Sequence, residues 1–177
     1  MKPVSKILLL FVLMINLFAC QKDHPNAMVK QAWLNTNIVN ASYSPEFFKR
    51  LQDMGEDGTI KTGSRDEVIT EDAVEYVTQN LLKPVTLAIK STEQMHPTQE
   101  TEGIIECSLQ ILKYSKSIFE IEYLQIATMI DERRSETEIN ASVDELFSTH
   151  NASMYRKKNR LNELIHLYQK ENDFVIK

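Results

Sequence analysis

Through most of this chain, apolar positions recur every three or four residues, the period of a helix packed on one face. From Pro25 to Ala41, Ala27, Leu34, Ile38 and Ala41 fall at heptad-like spacing, which predicts a first helix opened by Pro25. Asn35, Asn37 and Asn40 lower its propensity. Ser44-Pro45-Glu46 is a start signal: a capping hydroxyl, a proline at the first helical position and an acid facing the dipole. A short helix with Phe47, Phe48 and Leu51 follows and ends near Gly55. Gly55 to Thr70 reads as a loop, with a small hairpin around Gly63-Ser64 as its one strand-like option. Thr70 to Ala73 opens the next helix, which aligns Val74, Val77, Leu81, Val85, Ala88, Thr92 and Met95. Pro84 removes one bond inside it and predicts a kink there. His96-Pro97 stops it.

The region 98–131 carries the strongest pattern. Ile104, Cys107, Ile111, Tyr114, Ile118 and Ile121 form one stripe, and Ile105, Leu109, Leu112, Phe119, Tyr123, Ile126 and Ile130 a second beside it. A double stripe predicts a helix packed on more than one side. The last helix runs from about Ile139 to Glu171 through Val143, Leu146, Phe147, Met154, Leu161, Leu164, Ile165 and Tyr168. Its stripe thins between His150 and Arg160. The expected fold is an all-α bundle of about four main helices plus one short helix.

The N-terminus follows a different pattern. Lys2 and Lys6 precede Ile7–Phe18, an apolar run broken only by Asn16 and far too short to cross a ~30 Å hydrocarbon core. A basic head, a short apolar run and a small residue describe a removable secretory signal. Leu17-Phe18-Ala19-Cys20 resembles the lipobox of bacterial lipoproteins, although Phe18 is bulkier than that family usually has before the small residue. The resemblance implies cleavage before Cys20, three acyl chains (palmitate among them) on that cysteine, and a chain held on a membrane without spanning it. Gln21, where many inner-membrane lipoproteins have aspartate, implies the outer membrane, on its periplasmic face or at the cell surface. The expected organisation is a signal peptide at 1–19, a lipidated tether at 20–25 and one helical domain at 26–177.

Removing 19 of 177 residues leaves 158, enough for one domain with a sizeable core. The signal holds two of the 20 basic residues and none of the 25 acidic ones, so the mature net charge is −7. That balance argues against a nucleic-acid partner. With Cys20 committed to lipid, Cys107 is the only other cysteine, and no internal disulfide is possible.

Four signals bear on chemistry. Glu93/His96 and Glu163/His166 share the Glu-x-x-His spacing of di-metal helix bundles, but the helical wheel puts Glu163 and His166 off the apolar face, which favours solvated residues. Asp53-Met54-Gly55-Glu56-Asp57-Gly58-Thr59-Ile60 resembles the start of an EF-hand loop spanning 53–64, with Asp53 and Asp57 as candidate calcium ligands. It lacks the third oxygen ligand at Gly55 and the bidentate glutamate at Ser64, so a glycine turn is favoured. Cys107 lies within an apolar stripe and reads as a buried hydrophobe rather than a nucleophile. Arg156-Lys157-Lys158-Asn159-Arg160 is the one basic cluster of an acidic chain. Arg156, Lys158 and Arg160 are the expected partner contacts, beside a level of the bundle that the thinned stripe should leave partly uncovered. The expected function is a non-enzymatic, lipid-anchored adaptor that grips a protein of the bacterial envelope and needs no cofactor. In size and plan it resembles small helical lipoproteins that pilot or brace secretion and envelope assemblies. The alternatives are an envelope hydrolase or metal-dependent enzyme, and a calcium-binding helical domain.

Overall fold

Cys20 and the expected signal at 1–19 lie outside the residues described by the structure, a computed structural model covering 24–62, 69–70 and 72–176. These residues form an all-α bundle. Helix α1 (Pro25–Asn40) begins with proline in its first turn, and α2 (Pro45–Glu56) follows Ser44 in extended backbone. Strands β1 (Lys61–Thr62) and β2 (Ile69–Thr70) pair antiparallel, Lys61 opposite Thr70. A hairpin pairing thus forms, while Gly63-Ser64, around which it is expected, lies outside the described residues. Helix α3 spans 73–93, α4 spans 102–131, and α5 (Glu136–Glu171) is 36 residues long.

The loop resembling an EF-hand begins as a helix terminus. Gly58 takes φ +64°, the Thr59 N–H reaches the Met54 carbonyl at 2.9 Å and the Gly58 N–H reaches Gly55 at 3.4 Å. This left-handed cap satisfies the last carbonyls of α2, and it explains the glycine without calcium. Gly55 has its own reason: a Cβ there would stand 3.2 Å from Ile130 Cγ2 of α4.

Helices α3 and α4 each contain one π turn, at Thr78–Leu82 and Phe119–Tyr123, and these two turns pack against each other. The first lies directly before the proline at which a kink is expected. Pro84 has no N–H for the Asn80 carbonyl, and just before it the Lys83 N–H bonds to Thr78, five residues back. The second adds a residue to a turn of α4 and shifts every later side chain around the axis. Ile121, expected on the buried stripe, is therefore 61% exposed, while Tyr123 is fully buried.

Helix α4 lies at the centre, against α1, α3 and α5, as its double stripe requires. One end is fixed by capping. Asp72 accepts the Glu75 N–H at 2.7 Å, while Asp131, at the end of α4, accepts the N–H groups of Ala73 and Val74 at 2.7 and 3.1 Å. Three orphan donors of α3 are thus satisfied, two of them from the far end of another helix. Ser135 and Glu138 close a reciprocal capping box at the start of α5.

Helix α1 departs from its expected orientation. It buries Met28, Val29, Ala32, Asn35, Thr36 and Val39, whereas the stripe of Ala27, Leu34, Ile38 and Ala41 faces outward. The cause is polar. Asn35 Nδ2 donates to Thr92 Oγ1 of α3 at 2.8 Å, and the Thr92 hydroxyl donates to the Ala88 carbonyl at 2.8 Å. Buried amides and hydroxyls need partners, and this pairing turns α1 about its axis.

Candidate functional site

The middle of α5, where its apolar stripe thins, is held by a polar network. His150 faces inward, its Nδ1 2.8 Å from the Tyr114 hydroxyl and its Nε2 3.0 Å from Glu122 Oε1, both on α4. With neutral imidazole one arrangement gives each link its proton: Tyr114 O–H donates to Nδ1, and Nε2–H donates to the carboxylate. The π turn of α4 contributes Glu122 from within it and buries Tyr123 one residue later.

Two lysines seal the flanks. Lys157 and Lys158 lie on either side of the buried stripe of α5, and each stem folds back over an aromatic ring. The Lys157 ammonium stands 5.3 Å from the Tyr114 ring centroid, and that of Lys158 5.3 Å from Tyr43. Cation–π attraction holds both while their methylenes cover apolar surface. Burial lowers the Lys158 pKa below the ordinary lysine value. Tyr43 packs edge-on against Phe147 with centroids 5.1 Å apart. The level expected to be open is therefore closed, with Ile111, Ile118 and Met154 buried beneath it.

The Tyr43 hydroxyl and Glu122 Oε2 are buried without a hydrogen-bond partner among the described residues. Burial first, then the neighbouring Tyr114 and Glu122, pushes the Tyr43 pKa up to about 12. The phenol of an unfolded chain ionises near 10, so between about pH 10 and 12 the unfolded chain loses a proton that the folded one keeps. Stability should be full below pH 10 and fall through that window. Tyr43→Phe should flatten the decline, read as urea midpoints at pH 9 and 11. An unchanged slope in the variant would assign the alkaline loss to other groups.

Chemically, a carboxylate that orients a histidine toward a hydroxyl is the relay of many hydrolases. Here all three side chains project from helix interiors, whose backbone N–H groups are bonded along their helices. Among the described residues no helix start lies at these three positions to offer paired backbone donors to an oxyanion. A shallow depression of about 270 Å³ borders Glu122 and His150 and also touches Ser142 and Thr149.

The other candidates remain apart. Glu93 pairs with Lys113 at 2.6 Å, His96 is exposed beyond the end of α3, and Glu163 lies 3.6 Å from Arg160 with His166 in solvent. Among the described residues no group of three or more His, Cys, Asp or Glu side chains gathers to hold a metal ion. Asp53 and Asp57 are exposed, and the Asp57 N–H closes the last turn of α2 on the Asp53 carbonyl at 3.0 Å. Cys107 is buried, its thiol 3.6 Å from the Lys157 carbonyl and its pKa raised by burial.

Of the three expected partner contacts, Arg156 and Arg160 stand on the outer face of α5, and Lys158 is half-buried over Tyr43. That outer face also carries Tyr155, 67% exposed, and Leu167, 51% exposed. The sequence hints at His150 through the gap in the stripe, but it does not mark Glu122 or Tyr114. They are 28 and 36 residues away, and only packing brings them to the imidazole.

Compared with protein-family models, curated protein sequences and solved structures, the chain matches none. What stands is a class, an all-α helical bundle. Among its described residues no helix is long and apolar enough to cross a membrane.

Proposed function

We propose that this protein is a lipid-anchored helical binding module of the bacterial outer membrane, an adaptor without catalytic activity whose α5 presents a protein-docking face. The observation that carries the reading is the outer face of α5. There Tyr155 and Leu167, both more than half exposed, stand with Arg156 and Arg160 on a helix fixed along its other side. Tyrosine and arginine dominate interface hot spots, and a basic cluster on an acidic chain steers an acidic partner. The His150 network and the two lysine–tyrosine pairs support a rigid platform, which lowers the entropy lost on docking. The anchor comes from the lipobox resemblance at Cys20.

The test is a photo-crosslinking residue at Tyr155 in the full chain, expressed in its own cells. A discrete adduct is expected. Arg156→Glu with Arg160→Glu should reduce its yield several-fold at low salt, less at high salt, and leave thermal stability within about 0.5 kcal/mol. An adduct formed equally by the double variant would remove the arginines from the interface, and no adduct at all would remove α5.

A hydrolase using the Glu122–His150–Tyr114 relay beside its depression is the second reading. Its support is the consistent direction of the two hydrogen bonds; its weakness is the missing oxyanion donors.

A further inference from the structure

We infer that the outward stripe of α1 rests on the phospholipid headgroup interface of the membrane that carries the anchor. This rests on the lipoprotein reading above and adds to it an orientation. Leu34 is 42% exposed and Ile38 36% exposed, and Ala27 and Ala41 extend their line along the helix. The helix is thus apolar on two opposite faces, and the bundle covers only one of them.

Three observations select lipid as the occupant of the other. The first is reach. Only Gln21 to His24 separate Cys20 from Pro25, a span of at most about 17 Å fully extended. Helix α1 is about 24 Å long, so its whole stripe can lie along a surface to which its first turn is tied. The second is charge. No Asp or Glu occurs between Asp23 and Glu46, in a chain with 25 of them, and Lys30 is the only charged residue of α1. Anionic lipid repels carboxylates, and this helix presents none to it. The third is composition. Lys30 is exposed beside the stripe and the chain's single tryptophan, Trp33, is half-buried at its edge. Apolar residues flanked by a lysine and a tryptophan suit a helix lying in the plane of an interface. Such a contact holds the bundle in one orientation on the membrane.

The experiment uses the full lipidated chain in phosphatidylethanolamine/phosphatidylglycerol vesicles, with or without brominated acyl chains as tryptophan quenchers. Two variants move the single tryptophan: Trp33→Phe/Leu34→Trp places it on the stripe, and Trp33→Phe/Tyr155→Trp on the outer face of α5. The inference expects the first to be quenched at least twofold and the second hardly at all, with both proteins floating with the vesicles and giving the same helical circular dichroism. If the chain floats and the tryptophan at position 34 is not quenched, the anchor stands, the inference is overturned, and the stripe is left to a protein. If the purified chain carries no acyl group and does not float, the anchor reading and this inference fall together.

Discussion

Tyr123→Ala should destabilise the bundle by about 4 kcal/mol, a large part of the 5–15 kcal/mol that holds a typical domain together. Tyr123 is fully buried and is the hub of an aromatic cluster, with ring centroids 4.5 Å from Phe48, 4.7 Å from Phe119 and 5.5 Å from Phe47. Its hydroxyl donates to the Ser42 carbonyl at 2.9 Å, tying α4 to the turn between α1 and α2. Truncation removes the ring, leaves a cavity among side chains from two helices, and takes one of two donors from the Ser42 carbonyl, which keeps the Ser44 N–H at 3.1 Å. Tyr123→Phe keeps the ring and loses only the bond, so it should cost about 1 kcal/mol. Urea unfolding followed by circular dichroism separates the two. Equal losses in both variants would mean that the hydrogen bond, not the packing, anchors this region.

Cys20→Ser should abolish acyl labelling and move the protein from the membrane to the soluble fraction. Each buried CH₂ of an acyl chain contributes about 0.8 kcal/mol, so several chains hold a domain firmly and their loss leaves nothing comparable. The stripe of α1, with Leu34 and Ile38 only partly exposed, is too small to replace them. Flotation of membranes from cells carrying the variant reads the outcome. A variant that still floats would show that the attachment is not through this cysteine.

The two effects act on separate parts of the molecule. The proposed anchor would fix where the bundle is held and contribute nothing to its core, whereas the Tyr123 cluster fixes how the helices meet whatever holds the chain. The serine variant should therefore unfold at the same urea concentration as the delipidated wild-type chain.

Much of this protein is written locally. The proline opening α2 at position 45, the glycine end of that helix and the apolar stripes of α4 and α5 depend on neighbours within a turn or two. Each was readable as chemistry without knowledge of the fold. The resemblance to a lipobox is local too, carried by the four residues Leu17-Phe18-Ala19-Cys20.

Tertiary structure decided the rest, and each case has a physical reason. Helix α1 offers two apolar stripes of similar strength, and which one enters the core depends on Asn35 finding Thr92, 57 residues away. The fate of Ile121 depends on a π turn, which adds one residue to the helical count and so invalidates a wheel drawn with a constant period. The gap in the stripe of α5 suggested an open surface. It is filled because His150 finds Glu122 and Tyr114, and because Lys157 and Lys158 bend over rings contributed by α4 and by the turn after α1. A period in the sequence reports that a face is apolar. Whether a polar residue on that face leaves it open or fastens it depends on partners that only the folded chain brings within 3 Å.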